Sequence, residues 1–309
     1  MTLVRHYDAA TAPRGLLHHL PTIVGYPARI WRNRFMVQNF LRRDLLGRFH
    51  GSFLGAYWLL AQPLFQFVVY FFVFGMLFGD WKVDRLPDPH FAVYLFSGVI
   101  GFHALVETTS QSCSMVVDNG NLVKKVAFPS EVLLVHVSLV SAVIYVVGAV
   151  VLLVAGLSFG ALRPGWALLA LPLVLVVQVV MTLGIGLLLS SVHVFLRDVK
   201  ELWRIFTMAW MFLSPVFWEP ALMEHKLEGW PTNVLFGVNP AFPLLQAQRA
   251  VLGVTGSLND PESGIAVTYG EPVADLWQNL GLASVWALGF LLVGYTMFMS
   301  RKHKFADLI

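Results

Sequence analysis

The sequence is poor in charged residues and in cysteine. Only 13% of its 309 residues are charged, whereas 57% are hydrophobic, and the mean hydropathy is +0.68. A soluble domain carries about 25% charged residues because its surface must be solvated. The composition therefore excludes an ordinary water-soluble protein and indicates a lipid environment. The single cysteine, Cys113, excludes an intrachain disulfide framework and a cluster of thiolate metal ligands.

Motifs for nucleotide binding and metal-dependent catalysis are also missing. The sequence contains no GxxxxGK[ST] phosphate loop, no HExxH and no CxxC. Its ten histidines are dispersed, and only His18 and His19 are adjacent. The basic residues follow no nucleic-acid-binding pattern. We therefore expect a chain that is not an enzyme, with no cofactor or metal of its own and no nucleic-acid partner.

Long apolar segments, in contrast, are abundant. A bilayer core requires about 20 apolar residues in a helix. Segment 91–117 is long enough but contains His103 and Glu107, and segment 202–218 is short and carries Arg204. The four other segments meet the length and composition of a membrane span: 54–78, 132–157, 166–189 and 276–299. The sequence predicts an all-α polytopic membrane protein with six transmembrane helices within 54–299.

The distribution of basic residues predicts the orientation. With six spans, sixteen of the 21 Lys and Arg residues lie on the side that holds both ends of the chain, and five lie on the other. Cytoplasmic flanks carry the excess of Lys and Arg. We expect cytoplasmic segments at 1–28 and 300–309 and no signal peptide.

Segment 29–49 mixes apolar and basic residues. Ile30, Val37, Leu41 and Leu45 form one apolar stripe of a helix, and most arginines lie off that stripe. A basic amphipathic helix lies in the membrane interface. One interpretation is an anchor at the anionic inner leaflet. The other is that the helix holds a phosphate-bearing substrate through three arginines: Arg42, Arg43 and Arg48.

The last outer loop, 219–273, contains six prolines, so one continuous helix is excluded. Segments 230–238 and 242–254 are nevertheless too apolar for a fully solvated loop. Irregular backbone at membrane depth persists only when it packs on protein or faces a water-filled cavity. We expect two short re-entrant-type helices that cap a pathway from the outer leaflet.

Polar and aromatic residues inside the spans are further candidates for function. Glu107 and His103 lie four residues apart on one helical face. They either join helices or line a watery pathway, or Glu107 lies close to the membrane interface. Aromatic residues are concentrated in the first and fifth spans, 54–78 and 202–218. They contact lipid and core, or they offer flat faces on which sugar rings stack.

Five motifs occur in order along the sequence. They are RRDLLGRFHGSFLGAYWLLAQPL at 42–64, NGNLVKKVAFPSEVLLV at 119–135, LRDVKELW at 196–203, SPVFWEP at 214–220 and NPAFPLLQAQRAVL at 239–252, and the sequence closes with FMSRKHKFADLI. These segments resemble the permease subunits of type-2 ABC exporters for O-antigen, teichoic acid and capsule polysaccharide. The resemblance runs from about residue 30 to the end of the sequence.

The resemblance implies a half-transporter. Two copies of the chain would pair with two separate ATPase subunits, which bind ATP and Mg²⁺, and would export a lipid-linked polysaccharide. The loop 118–130 would be the cytoplasmic coupling element, and 29–49 a gate helix. The residues implied for ATPase contact are Asp118, Asn119, Lys124, Lys125, Phe128 and Pro129. Those implied for the glycan channel are Tyr57, Trp58, Tyr70, Trp210, Phe217 and Trp218.

Several alternatives remain at this point. The cargo is either a polysaccharide or, as in related permeases, a drug or a lipid. A membrane-embedded transferase acting on lipid-linked sugars would require a polar cluster, for which His103 and Glu107 are the candidates. The family implies a bacterial inner membrane, and the sequence leaves open whether a periplasmic adaptor binds the outer loop.

Overall fold

The computed structural model describes residues 21–47, 53, 55–78, 89–124, 129–220, 236–254, 256–259, 266–269 and 274–309. Within these ranges the chain is mainly helical. The first helices are α1 Tyr26–Arg32, α2 Arg34–Gly47, α3 Trp58–Phe78, α4 Pro89–Asp118, α5 Gly120–Val123 and α6 Ser130–Ser158. The later ones are α7 Leu171–His193, α8 Val199–Leu213, α9 Ala241–Leu252, α10 Ala274–Arg301 and α11 Phe305–Leu308.

Four helical segments have the length and composition of a membrane span. They are His90–Asp118, Ser130–Ser158, Trp166–His193 and Leu276–Leu308. These contain α4, α6, α7 and α10, the last two extended by short 3₁₀ turns. The predicted first span corresponds to α3, which has 21 residues and a length of about 31 Å. The multi-pass membrane architecture is therefore established, and the six-span count stays a prediction.

The predicted fifth span, 202–218, is only partly helical. Helix α8 ends at Leu213, and Ser214 has an extended backbone, with φ −99° and ψ 153°. The cause is Pro215, because its ring excludes the preceding residue from the α region. The 15 residues of α8 span about 22 Å, which is shorter than a bilayer core of about 30 Å.

Helices α7 and α10 make the most extensive packing contact in the described structure. Two glycines lie at their crossing. A Cβ atom at Gly184 would collide with the backbone of Leu291, and one at Gly294 would collide with the carbonyl oxygen of Gly184. Small residues allow this close approach of membrane helices.

The side predicted to face outward carries α9 and a short antiparallel hairpin. Strands β1 Gly256–Asn259 and β2 Ala266–Tyr269 pair with Ser257 opposite Thr268. The hairpin was not expected from the sequence. Helix α9 ends at Gly253, whose φ of +68° favours glycine, and the amide of Val254 donates to the carbonyl of Arg249.

Of the two helices predicted in the outer loop, the second corresponds to α9. It is mostly buried and packs on α10, α4 and α7. The first, at 230–238, lies outside the described residues except for 236–238, which are helical. The re-entrant insertion of these segments stays a prediction.

The predicted helix 29–49 consists of two helices. Helices α1 and α2 are separated by Asn33, whose φ of −101° and ψ of 17° interrupt the helical backbone. The predicted stripe does face the protein: Val37 is buried, and Ile30, Leu41 and Leu45 are half-buried. Arg48 and Phe49 lie outside the described residues. Helix α2 packs against α6.

Candidate functional site

The predicted coupling loop begins at the end of α4. Asp118 is exposed and accepts a hydrogen bond from Ser114 Oγ at 2.8 Å, and Lys200 Nζ lies 3.3 Å from the same hydroxyl. The carbonyl of Asn119 accepts the amides of Leu122 and Val123, which starts α5. The loop thus leaves the membrane helix through an ordered polar turn.

Of the remaining residues predicted for ATPase contact, the structure describes Lys124 and Pro129. Lys124 ends α5 and is exposed, as a docking residue must be. Pro129 is half-buried and immediately precedes α6, so it separates the loop from the membrane helix as its fixed φ predicts. Lys125 and Phe128 lie outside the described residues.

Glu131 lies at the centre of a charged cluster that sequence analysis did not identify. Its carboxylate is 3.8 Å from Arg29 of α1 and 2.5 Å from Lys302, just beyond α10. Its side chain is only 5% exposed, whereas those of Arg29 and Lys302 are 33% and 27% exposed. One buried anion therefore joins three segments that are distant in sequence. The sequence signal was an acidic residue two positions after the loop's proline, Pro129.

Tyrosines complete this cluster. The hydroxyl of Tyr26 donates to the carbonyl of Glu131 at 2.9 Å, and Arg29 donates to the hydroxyl of Tyr295 at 2.7 Å. Burial, and secondarily the negative charge of Glu131, raise the pKa of Tyr26 well above its ordinary value. Tyr26 therefore stays a neutral hydrogen-bond donor at all physiological pH values.

Two of the three arginines predicted to bind phosphate, Arg42 and Arg43, lie on the open side of α2, and Arg48 lies outside the described residues. Arg42 and Arg43 are exposed, and the guanidinium of Arg43 lies 4.9 Å from the ring centroid of Phe40. An open groove of about 330 Å³ on this helix is lined by Gln38, Leu41, Arg42, Leu45 and Leu46. An exposed guanidinium beside apolar side chains suits a lipid headgroup.

The opposite side of α2 is fixed to α6. Phe40 stacks on His136 with ring centroids 5.2 Å apart, and a carboxylate oxygen of Asp44 lies 3.3 Å from Nε2 of this imidazole. His136 is fully buried. These contacts orient the helix so that Arg42 and Arg43 face away from the bundle.

The predicted glycan contacts occupy different environments. Tyr57 and Trp58 are 75% and 45% exposed. Trp210 is buried, and its indole nitrogen donates to Asn239 at 2.7 Å, so it presents no free face in this conformation. Phe217 and Trp218 are half-buried in the turn after α8. Tyr70 lies in α3, but its side chain is outside the described part.

The intramembrane polar pair lies on one face of α4, as its spacing predicts. His103 Nδ1 is 3.6 Å from a Glu107 carboxylate oxygen, with side chains 51% and 30% exposed. Both side chains thus reach the surface of this protomer. Whether they line a pathway or join subunits stays a prediction.

Two buried polar contacts of α9 were also missed. The guanidinium of Arg249 lies 3.7 Å from the ring centroid of Tyr94 and donates to Ser97 at 3.2 Å. Gln248 donates to Gln178 at 2.9 Å. The sequence showed Gln248 and Arg249 as a polar interruption of an apolar segment, but it did not identify their partners.

Comparison with known proteins decides the family. The sequence profile of the ABC-2 type transporter family matches residues 37–252, which is more than half of the chain. The chain belongs to the ABC-2 type transporter family. The family predicted from the five sequence segments is therefore confirmed, and this permease is a membrane subunit whose family uses a separate ATPase component.

Curated relatives cover almost the whole permease. It is 24% identical over 280 residues to the O-antigen export system permease protein RfbA of Myxococcus xanthus, covering 91% of this chain and 97% of that protein. It is 21% identical over 267 residues to a protein of the same name from Klebsiella pneumoniae, covering 86% and 92%.

Proposed function

We propose that this chain is the transmembrane half of an ATP-driven exporter that moves a lipid-linked polysaccharide across the bacterial inner membrane. The observation that carries the proposal is the near-complete alignment with O-antigen export permeases. Both termini face the cytoplasm in this proposal, as the distribution of basic residues indicates. ATP and Mg²⁺ bind to a partner ATPase, two copies of which serve two copies of this chain.

Apolar surfaces support pairing with a second copy. Exposed apolar side chains cover one side of α3, including Phe65 and Phe72. Helix α8 exposes six more: Leu202, Ile205, Phe206, Met208, Phe212 and Leu213. A helix as short as α8 does not span the bilayer alone, and a facing copy would shield it. The side chains of Tyr57 and Trp58 are exposed in this conformation, so they are the predicted channel residues that a glycan can contact.

Purification in mild detergent tests the assembly. We expect a phosphate-loop ATPase to copurify with the tagged chain at near-equal stoichiometry, identified by mass spectrometry. Reversing the charges of Lys124 and Lys125 should abolish ATPase stimulation while membrane insertion persists. Reversing the charge of Lys304, which is exposed, is the matched control. Reproducible absence of any ATPase from the intact protein would reject the half-transporter.

Cargo recognition is tested on α2. Changing Arg42, Arg43 and Arg48 to Gln should weaken binding of a lipid-linked glycan pyrophosphate by about tenfold or more, because guanidinium groups form charge-assisted hydrogen bonds to phosphate. Arg32→Gln in α1, also exposed, is the control. Equal binding by the triple variant would remove the recognition role of α2. ATPase stimulation by a drug but not by a glycan would favour the alternative cargo.

A further inference from the structure

One short segment contacts the coupling loop near both of its ends. Residues 302–309 continue α10 as a 3₁₀ turn, Lys302–Lys304, and then as helix α11, Phe305–Leu308. Lys302 lies 2.5 Å from Glu131, just after the loop, and Ile309 packs on Gly120, at the start of α5. The contacts are eleven residues apart on the loop and seven apart on the segment.

The contact with Gly120 leaves no free space. Gly120 is buried, and a Cβ atom there would collide with Cγ2 of Ile309. Ile309 is half-buried, and its amide donates to the carbonyl of Phe305 at 3.2 Å. The side chain of Ile309 therefore covers the inner side of α5, while Asn121 and Lys124 stay exposed.

The segment itself is anchored firmly. Phe305 is fully buried, with its ring centroid 5.1 Å from that of Phe298 in α10 and 6.4 Å from that of Phe195. The neighbouring residues Ala306, Asp307 and Leu308 are exposed. An anchored aromatic ring between two contact points makes the segment a rigid support for the loop.

We infer that residues 302–309 form a two-point brace, in which Lys302 holds Glu131 and Ile309 supports Gly120, so that this segment sets the position of α5. Lys302 and Ile309 are positioning residues. The consequence for transport rests on the proposed function: force applied by the ATPase to α5 passes through the brace to α10, which packs along α7. Without the brace, the ATPase would displace the loop without moving the membrane helices.

Hydrogen exchange tests the brace without any ATPase. The reporters are the amides of Leu122, Val123 and Lys124, which donate to Asn119 and Gly120. In the full chain in detergent, Ile309→Asp should accelerate their exchange by about tenfold, because local opening governs exchange. Leu308→Asp is the matched control, since Leu308 is 47% exposed. Equal exchange in the two variants would overturn the brace.

A pair of substitutions that changes side-chain size at the contact tests the brace even if Ile309→Asp fails to insert into the membrane. Gly120→Ala should accelerate exchange at the same amides, and Gly120→Ala combined with Ile309→Ala should restore protection, because the smaller side chain makes room for the new Cβ. Additive effects of the two substitutions would show that the residues do not press on each other, and would also overturn the brace.

The complex with the ATPase then tests positioning. Ile309→Asp and Lys302→Met should retain ATPase binding but lose stimulation of hydrolysis by about tenfold, whereas Lys304→Met behaves as wild type. Wild-type stimulation by both variants would overturn the positioning role. If the unaltered chain recruits no ATPase, the proposed function fails, and the exchange data alone decide whether the brace exists.

Discussion

The end of this permease around Glu131 is predicted to be cytoplasmic and the end that carries α9 to be outer, and polar side chains hold the two ends together in different ways. At the cytoplasmic end, Glu131 joins Arg29 and Lys302, whose side chains keep about a third of their surface exposed. At the outer end, Arg249 and Gln248 fix α9 while only 4% and 1% exposed. The first cluster consists of ion pairs that water partly screens, whereas the outer contacts are buried hydrogen bonds and a cation–ring contact that water does not reach.

This difference predicts different responses to salt at the two ends. The cations of the first cluster, Arg29 and Lys302, remain partly solvated, so mobile ions weaken their attraction to Glu131. Breaking the outer contacts would leave desolvated donors and acceptors without partners. We therefore expect α9 to move with α4 and α7 as one body, and the contacts of Glu131 to weaken as salt rises.

Cys113 offers a direct assay for this comparison. It is the single cysteine of the chain and is 1% exposed, so a thiol-reactive dye labels it only after unfolding. The midpoint of Cys113 labelling, on heating or in denaturant, ranks the stability of the variants below without a newly introduced cysteine. Insertion into the membrane is checked separately for each variant.

The largest loss is expected for Arg249→Ala. Removing this guanidinium deletes its contacts with Tyr94 and Ser97 and leaves a cavity, at a cost of about 2–4 kcal/mol of unfolding free energy. The control is Arg163→Ala, because Arg163 is an exposed arginine in the loop that contacts the end of α9. Equal Cys113 labelling midpoints for both variants would show that the outer end does not depend on its buried cation.

Gln248→Leu should cost about 1–3 kcal/mol, because it leaves the buried amide of Gln178 without this partner. Gln178→Leu should behave similarly. The double variant, Gln178→Leu with Gln248→Leu, should be more stable than the sum of the two losses predicts, since no buried amide then lacks its partner. Strict additivity in the Cys113 assay would mean that the two amides do not interact energetically.

Glu131→Gln should have an intermediate effect of about 1–2 kcal/mol, because Arg29 and Lys302 regain water when the charge is lost. The loss should shrink as salt rises, whereas the loss in Arg249→Ala should not, since mobile ions screen only accessible charges. A salt-independent effect of Glu131→Gln would contradict the distinction between the two ends.

The smallest effect is expected for Glu201→Gln. Glu201 and Arg204 form a 2.8 Å ion pair on α8, but their side chains are 60% and 75% exposed. Such a pair contributes about 0–0.5 kcal/mol. In detergent the labelling midpoint should be unchanged; a large shift would indicate that this side of α8 is covered by another chain, as in a dimer.

Several elements could be predicted because their cause is local. The apolar lengths of α4, α6, α7 and α10 exceed what a bilayer requires, and Pro129 separates the coupling loop from α6 whatever its neighbours are. The apolar stripe through Val37 on α2 is likewise a matter of helical spacing. The early end of α8 was also encoded locally, in Pro215, although its effect on Ser214 was overlooked.

Contacts between distant segments could not be predicted. Glu131 meets Lys302, 171 residues away, and Arg249 meets Ser97, 152 residues away. Gly184 differs from the many other glycines only because α10 crosses there. Single-sequence patterns report the face of a helix but not which helix covers it.

The sequence by itself determined a multi-pass membrane protein and its principal spans, because hydrocarbon thickness and backbone hydrogen bonding restrict what an apolar chain can form. Its family followed from the resemblance of five sequence segments to those of known permeases. The tertiary structure alone decided which polar side chains meet. Burial of a charge or amide is tolerable only beside a partner, and the partner's position depends on how helices far apart in the sequence pack together.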